Sequence, residues 1–331
     1  MLSGVGGRVE RTRGLNTMAN SNIAMGNGID ALDGGNGNDL LIAEPLNFSA
    51  PLNALNNSGV TGQVQVSVSG DELRVQVDAT GLEANQPHAM HIHGLSGAGA
   101  PLDSSTPGTD TDGDGFIELQ ETARSIGPQL LALEPVPTTA DGSIAFDQTY
   151  SLSGLANAVD LFPLDFRQIE LHGDSVGASA GYEPTLPVAL AELQFQPLQT
   201  FAAQGDQGIT MSGGNGNDRV IGGHGNDIMN GGNGADVLAG GAGDDDLVGG
   251  RGADRFVVGQ GKEVITDFNA AEGDRLVFGH DSVSPALVLH DTQQGTWIIE
   301  GSAAVTDPNS EGVLLLGVHA ATVVEASHWF A

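Results

Sequence analysis

Aspartate side chains recur at intervals of nine residues between positions 213 and 257. The five consecutive units of this segment all fit the pattern G-G-x-G-x-D-x-U-x, in which U is an apolar residue. A carboxylate and several turn carbonyl groups per unit provide the hard oxygen ligands that Ca²⁺ prefers, at about six to eight per ion. The spacing therefore predicts a row of calcium sites. The sixth-position residues are Asp218, Asp227, Asp236, Asp245 and Asp254.

A second acidic segment, DTDGDGFIELQE at 110–121, has the spacing of a single calcium-binding loop. It fits D-x-D-x-D-G-x-I-x-x-x-E at every position and so resembles an EF-hand loop. The residues before it, GAGAPLDSSTPGT, are unsuited to a helix, so we expect a lone calcium site rather than a paired sensor. The implied ligands are the side chains of Asp110, Asp112 and Asp114, the carbonyl of Phe116, Glu118 directly or through water, and the bidentate Glu121.

Three histidines in the segment HAMHIHG provide a different kind of ligand. In a strand, His91 and His93 point to the same face about 6.5–7 Å apart, and His172 ends a later strand-like run that could lie beside it. Imidazoles so placed can chelate one Zn²⁺ or Cu²⁺ ion. His88 lies an odd number of residues from the pair and joins it only if the strand bends or begins later. The alternative interpretation is a hydrogen-bonded histidine pair at the surface or at an interface.

The nine-residue repeat predicts a parallel β-roll. The glycine-rich half of each unit supplies turn positions with positive φ, and the other half is a short strand with one apolar side chain pointing inward. One buried side chain per nine residues cannot offset a backbone ordering cost of about 1–2 kcal/mol per residue, so we expect ion binding to stabilise the turns. A flexible glycine-rich linker is the alternative, but a linker needs neither a fixed aspartate nor a fixed apolar position.

Residues 204–257, which include one degenerate unit at 204–212, resemble the RTX (repeats-in-toxin) family. The resemblance implies a secreted protein that leaves the cell through a type I ABC transporter without N-terminal cleavage. It also implies a chain that is disordered in the low-calcium cytosol and folds on meeting external Ca²⁺. Strand-like runs follow in 258–331, where the resemblance implies a β-rich cap that ends in the export signal.

A shorter repeat lies near the N-terminus, after residues 1–24, which we expect to be poorly ordered. Residues 25–42 contain two units, with Asp30 and Asp39 at their sixth positions. Two units alone cannot bury a core. Either they stack on the start of the main array near residue 204, so that an inserted domain splits the roll, or they form a tethered, independent calcium-binding unit.

Residues 43–203, between the two arrays, predict an antiparallel β-sandwich, because apolar and polar residues alternate in several short runs separated by Pro- and Gly-rich connections. The strand ending in HIHG, the acidic insertion and the later strand ending in LHG resemble the chordin-type (CHRD) domain and, through it, copper/zinc superoxide dismutase. The resemblance implies that His91, His93 and His172 are copper-type ligands. The chain lacks a metal-bridging histidine and the anchoring cysteines, which implies a retained fold with an altered or lost metal.

Composition narrows the classes of function. The 331 residues carry 11 Lys+Arg against 42 Asp+Glu, a formal net charge of −31, so nucleic acids and anionic membranes are not expected partners. The chain has no cysteine, and no apolar stretch approaches the ~18 residues of a membrane-spanning helix. The metalloprotease motif H-E-x-x-H is also absent.

Together these patterns predict an all-β, secreted or cell-surface protein with multiple bound Ca²⁺ ions. We expect it to act outside the cell by binding or assembly, with enzymatic activity left open but not favoured. One alternative is a superoxide dismutase-like oxidoreductase or metal carrier that holds copper or zinc on the three histidines. The other is a structural protein of a surface layer or matrix that assembles with itself.

Overall fold

The computed structural model describes residues 21–24, 31–43, 45–94, 110, 113, 116–118, 121, 126–133, 136, 139–155, 158–164, 167–175, 181–195, 208–278, 287–300 and 312–318. Strands make up nearly all of the regular structure in these ranges. Within them, no helix is long and apolar enough to cross a membrane. Of the predicted features, most of 1–24, Asp30, Asp112, Asp114 and the predicted export signal after residue 318 lie outside the described residues.

The elements begin with short strands of the N-terminal repeat and continue through the central domain into the main array. In chain order they are β1 (Ser21–Ala24), β2 (Ala31–Asn36), β3 (Asp39–Ile42), β4 (Leu46–Ala54), β5 (Thr61–Ser69), β6 (Glu72–Thr80), β7 (Met90–His93), β8 (Gln129–Ala132), β9 (Ser143–Ser151), β10 (Gln168–Ser175), β11 (Tyr182–Glu192), β12 (Gln194–Phe195), β13 (Thr210–Asn215), β14 (Arg219–His224), β15 (Ile228–Asn233), β16 (Val237–Gly243), β17 (Asp246–Arg251), β18 (Arg255–Val258), β19 (Gln260–Ile265), β20 (Arg275–Phe278), β21 (Leu287–Asp291), β22 (Gly295–Glu300) and β23 (Gly312–Leu316). Two short 3-10 helices lie at Leu152–Gly154 and Ala158–Leu161.

The main array forms a parallel roll. Its successive strands alternate between two sheets, and neighbours within one sheet are 18 residues apart, so that Val220 pairs with Leu238 and Leu238 with Phe256. The apolar eighth-position side chains of all five units are fully buried and pack together between the sheets. The predicted all-β fold with a parallel roll is confirmed.

The N-terminal repeat stacks on the main array. β2 pairs in parallel with β13, with Leu32 opposite Met211, and β3 pairs in parallel with β14. On the outside of the roll, Asn215 Nδ2 donates a hydrogen bond to Asn36 Oδ1 at 2.9 Å. This pairing is the geometry that the split-roll alternative requires.

A pair of introduced cysteines tests this stacking, because the chain has no cysteine of its own. Asn36→Cys combined with Asn215→Cys is expected to form an intramolecular disulfide on mild oxidation in calcium, since these residues face each other in adjacent strands. Asn36→Cys combined with Asn233→Cys is the control, because Asn233 lies one strand further away, about 4.8 Å beyond Asn215. Equal crosslinking of both pairs on a non-reducing gel would contradict the pairing.

The central residues form an antiparallel sheet in the order β8-β7-β10-β11-β4-β5-β6-β9, with β12 paired to β4. On β5 the predicted alternation is present, because Val64, Val66 and Val68 are buried and the residues between them are more exposed. Apolar side chains from both halves of this sheet share one buried core with Ile221 and Val257, which lie on the outer face of one roll sheet. The predicted antiparallel domain is thus confirmed, and it packs against the roll.

Candidate metal centres

The repeat aspartates point into the roll and form two hydrogen-bonded rows. Asp218 Oδ1 accepts a hydrogen bond from the backbone N–H of Asp39 at 2.8 Å, and Asp236 Oδ1 accepts one from the N–H of Asp218 at 2.8 Å. The same contact recurs between later rungs of both rows. These carboxylates are therefore fixed structural groups rather than solvated turn residues. The aspartates, each at most 1% exposed, are Asp39, Asp218, Asp227, Asp236, Asp245 and Asp254.

The Oδ2 atoms of these aspartates face a space that stays open because the first residue of each repeat unit is glycine, which has no side chain to fill it. A Cβ atom on Gly213 would lie 2.5 Å from Asp218 Oδ2 and 2.6 Å from the carbonyl oxygen of Gly231. Carboxylate and carbonyl oxygens of successive rungs thus converge without a donor between them, and a buried ionised carboxylate without a partner is costly. A donor set made of oxygens fits Ca²⁺. The Oδ2 atoms that are buried and receive no hydrogen bond include those of Asp218, Asp236, Asp245 and Asp254.

The three histidines meet in the antiparallel sheet. β7 and β10 are adjacent strands with Glu170 opposite His91, and His172 lies two residues further along the same face. His91 Nδ1 is 3.3 Å from His172 Nε2. Among the described residues, one ring nitrogen from each of His91, His93 and His172 lies within 4.8 Å of the other two, the spacing of a three-histidine metal site. The sequence thus anticipated a cluster that only the strand pairing assembles.

Backbone carbonyl groups orient two of these rings. His93 Nδ1 lies 3.1 Å from the carbonyl oxygen of Gly127, and His172 Nδ1 lies 3.1 Å from that of Thr185. A carbonyl oxygen only accepts, so each Nδ1 carries the proton and each neutral ring presents the lone pair of Nε2 to the cluster. This arrangement is typical of metal-ligating histidine.

Burial favours the neutral form of His91 and His93. It lowers the pKa of His91 to about 4, with a smaller contribution from the neighbouring His172 and His93 rings, and it also lowers the pKa of His93. Neutral imidazole is the form that binds metals. At pH 7 these two side chains are therefore available as ligands.

His88 lies apart from the cluster. Its Nδ1 is 3.1 Å from the carbonyl oxygen of His172, and its Nε2 is 2.9 Å from that of Glu83. Both ring nitrogens face carbonyl oxygens, so the structure does not join His88 to the other three histidines. Its contact with the carbonyl oxygen of His172 instead links the segment before β7 to strand β10.

The acidic loop is attached to the sheet at Ile117. Asn56 Nδ2 donates to the carbonyl oxygen of Ile117 at 2.9 Å, and Asn56 Oδ1 accepts from the Ile117 N–H at 2.8 Å. Glu121 is buried, and its Oε2 accepts a hydrogen bond from the N–H of Glu118 at 3.2 Å. Asp110 Oδ1 accepts one from Gly113 at 2.5 Å. Because Asp112 and Asp114 lie outside the described residues, the ligand set of this loop stays a prediction.

Comparison with known families identifies the rolled segments. A sequence model of the RTX calcium-binding nonapeptide repeat matches residues 26–44, 205–238 and 230–262. The chain carries RTX repeats. The family is described as a calcium-binding repeat, and the described residues of the matched ranges form the stacked rungs of the roll.

Comparisons over longer stretches give weaker similarities. A SOD-like protein from Bacillus subtilis is 15% identical over 44% of this chain and 99% of its own, with a TM-score of 0.26. The AlgE6R3 subunit of the Azotobacter vinelandii mannuronan C5-epimerase is 24% identical over 38% of this chain and 72% of its own, with a TM-score of 0.20. No curated protein matches the chain. With both TM-scores below 0.5, the CHRD-type and dismutase-like character of 43–203 stays a prediction.

The RTX roll extends beyond the units recognised in the sequence. Residues 258–266, VGQGKEVIT, form the next rung, in which Glu263 stands at the sixth position and Ile265 is the buried eighth residue. The nine-residue spacing from Asp254 could have revealed this rung. Asp274 continues the row that contains Asp218, Asp236 and Asp254, because its Oδ1 accepts a hydrogen bond from the N–H of Asp254 at 2.9 Å. It lies 20 residues after Asp254 instead of the 18 that separate the other members of the row, so the nine-residue spacing does not predict it.

Burial raises the pKa values of the RTX carboxyl groups. The pKa of Asp236 is raised to about 7, and those of Asp245 and Asp254 to about 6, because the roll interior disfavours the charged form. At Glu263 the same cause raises the pKa to about 8. Without a cation, these groups therefore retain protons that ordinary carboxyl groups release.

These shifts predict the pH dependence of the calcium-free protein. Folded-state pKa values lie above the unfolded value of about 3.9, so the contribution of these carboxyl groups to the stability of the calcium-free roll is largest below about pH 4 and is lost as the pH rises towards 7. After chelation and desalting, far-UV circular dichroism is expected to show more β-structure at pH 5 than at pH 7.5. Asp236→Asn should flatten this dependence. A β-structure signal of the calcium-free protein that rises between pH 5 and pH 7.5 would contradict this prediction.

Proposed function

We propose that this chain is a secreted calcium-binding protein whose RTX roll folds when Ca²⁺ binds after type I export, and that it acts outside the cell by binding or assembly. The observation that carries the proposal is that the buried Oδ2 atoms of Asp218 and Asp236 receive no hydrogen bond. Each of them faces a small space that is also lined by a backbone carbonyl oxygen of the next rung in the same sheet. When bound, Ca²⁺ supplies the charge compensation that these oxygens lack.

The proposed mechanism is linkage between binding and folding. The carbonyl and carboxylate oxygens of successive rungs converge only in the stacked roll, so the folded state binds Ca²⁺ and the unfolded chain binds it weakly. A ligand at 100 times its Kd stabilises the folded state by about 2.7 kcal/mol per site. Low cytosolic calcium would keep the chain unfolded for export, and external calcium would fold it.

We propose the following division of the chain. Residues 25–42 and 204–257 form the roll together with the additional rung at 258–266, residues 43–203 form the inserted CHRD-type domain, and the remainder to 331 forms the cap with the export signal. Residues 1–24 precede the first repeat, and their described strand, Ser21–Ala24, pairs with β3 of that repeat. The pairing of β2 with β13 supports the split, since it closes the roll across the inserted domain. In that domain, the 110–121 loop is proposed as a separate calcium site, supported by the buried Glu121 and the attachment of Ile117 to Asn56.

A metal inventory tests the calcium proposal. Mass spectrometry of the purified full chain, with calcium, copper and zinc quantified together, is expected to find several Ca²⁺ ions per chain that dialysis against EGTA removes. Protein purified in millimolar Ca²⁺ that holds none after desalting would overturn the proposal.

The histidine cluster supports a second candidate function. We propose that His91, His93 and His172 hold a copper or zinc ion, as a metal carrier or a dismutase-like oxidoreductase would. The supporting observation is the 4.8 Å grouping of their ring nitrogens. His91→Ala is expected to abolish copper and zinc binding and to leave the calcium content unchanged. Unaltered copper and zinc content in this variant would overturn the candidate.

A further inference from the structure

We propose that Glu170 is a fourth ligand at the histidine cluster and that the completed site, three imidazoles and one carboxylate, takes a zinc-class divalent ion in a closed coordination shell. This inference rests on the second candidate function, metal binding at His91, His93 and His172. It changes the expected chemistry of that site, because four protein ligands are typical of structural zinc, whereas catalytic sites keep one position open.

The position of Glu170 is the first support. It lies two residues before His172 on the same face of β10 and directly opposite His91 in the register of β7 and β10. Its Oε2 is 3.2 Å from His172 Nε2 and 3.4 Å from His93 Nε2. The side chain is 0% exposed, and neither of its oxygens receives a hydrogen bond.

The hydrogen-bonding chemistry is the second support. The Nδ1 protons of His93 and His172 are donated to the carbonyl oxygens of Gly127 and Thr185. The Nε2 atoms of the neutral rings then carry lone pairs, and so does the carboxylate oxygen between them. His91 Nδ1 can donate to His172 Nε2 at 3.3 Å, but His93 Nε2 and both oxygens of Glu170 have no hydrogen-bond donor, and buried acceptors with neither a donor nor a cation are costly.

The spacing of the atoms indicates the class of ion. The measured separations are 3.3 Å between His91 Nδ1 and His172 Nε2, and 3.2 and 3.4 Å from Glu170 Oε2 to the two Nε2 atoms. Ligand atoms at the Zn²⁺ distance of 2.0–2.1 Å are about 3.4 Å apart in a tetrahedron, and about 2.9 Å apart at the right angles of a planar copper site. These three of the six ligand separations are close to the tetrahedral value, and the ring nitrogens of the three histidines lie within 4.8 Å of one another.

The closed site would join β7 to β10, which are the second and third strands from the β8 edge of the sheet. His93, His172 and Glu170 are buried, while His91 is half-buried and lies on the open side of the cluster. With Glu170 bound, all four coordination positions of a tetrahedral ion are filled by protein ligands, so none is left for a substrate. The site is therefore inferred to stabilise the antiparallel domain rather than to cycle between oxidation states.

The test uses the calcium-loaded full chain and Zn²⁺ alone as the probe. Zinc affinity is measured by competition with a chromophoric chelator, and thermal unfolding is followed with and without Zn²⁺. The variants are Glu170→Gln, which keeps the shape and removes the charge, His91→Ala, and the control Glu192→Gln. Glu192 lies on the neighbouring β11, where it accepts a hydrogen bond from Gln168 at 3.2 Å.

Glu170→Gln is expected to weaken zinc binding at least tenfold and to reduce the rise in unfolding temperature that Zn²⁺ produces, because a neutral amide replaces the carboxylate ligand. Glu192→Gln is expected to behave like the unmodified chain. Unchanged zinc affinity in Glu170→Gln, with binding lost in His91→Ala, would overturn the role of Glu170 and leave the histidine site in place. Failure of the unmodified chain to bind Zn²⁺ would overturn both this inference and the second candidate function.

Discussion

Removal of calcium is expected to unfold the roll while parts of the inserted domain retain their structure. The interior of the roll buries one apolar side chain per nine residues and depends on its carboxylate rows, whereas the antiparallel domain supplies most of a larger apolar core. In EGTA, the amides of β14 and β16 should exchange with deuterium within seconds, and millimolar Ca²⁺ should restore their protection. Mass spectrometry of peptides from the exchanged protein makes this measurement.

The same experiment contains its controls. The amides of β5 and β6, in the inserted domain, should remain protected longer than those of the roll in EGTA. Mg²⁺ should not replace Ca²⁺, because it requires near-octahedral geometry and gives up its water reluctantly. Protection of residues 210–278 that is equal with and without EGTA would contradict the dependence of the roll on calcium.

Gly234→Ala is expected to be the most damaging single substitution in the roll. Gly234 has a φ of 143°, and a Cβ atom there would overlap the carbonyl oxygen of Gly216 on the adjacent rung. Backbone strain and displaced rungs together should cost at least ~2 kcal/mol of unfolding free energy and move calcium-induced folding to higher calcium concentrations. Chemical denaturation in saturating Ca²⁺ measures the loss.

Gly181→Ala is the matched control for this substitution. No heavy atom lies within 4 Å of the position that a Cβ would take at Gly181. The control should therefore change the unfolding free energy by less than about 0.5 kcal/mol. If both variants unfolded at the same denaturant concentration, the inference that the rungs at Gly234 stack too closely to admit a Cβ atom would be wrong.

The roll was predictable because its chemistry is periodic. A fixed aspartate and a fixed apolar residue every nine positions identify the rungs, and the same spacing leads to Glu263 once a longer carboxylate is admitted at the sixth position. Asp274 could not be found in this way, since two additional residues precede it. The repeat spacing therefore predicts the rungs that keep the nine-residue period and misses those that an insertion displaces.

The histidine cluster was only partly predictable. The H-x-H spacing places His91 and His93 on one face of a strand, but the proximity of His172 depends on the pairing of β7 with β10. Glu170 gave no signal, because polar residues that alternate in a strand normally face solvent, whereas the described residues of β10 from 168 to 173 are buried on both faces. The attachment of Ile117 to Asn56 is likewise a contact between distant segments, 61 residues apart.

A crystal structure of the full chain grown in millimolar Ca²⁺ would show whether ions bridge the rungs of the roll. We expect an anomalous density peak between successive rungs, bonded to Asp218 Oδ2 and to the carbonyl oxygen of Gly231, with equivalent peaks along both carboxylate rows. Rungs stacked as described here, with protonated aspartates and no ion between them, would contradict it.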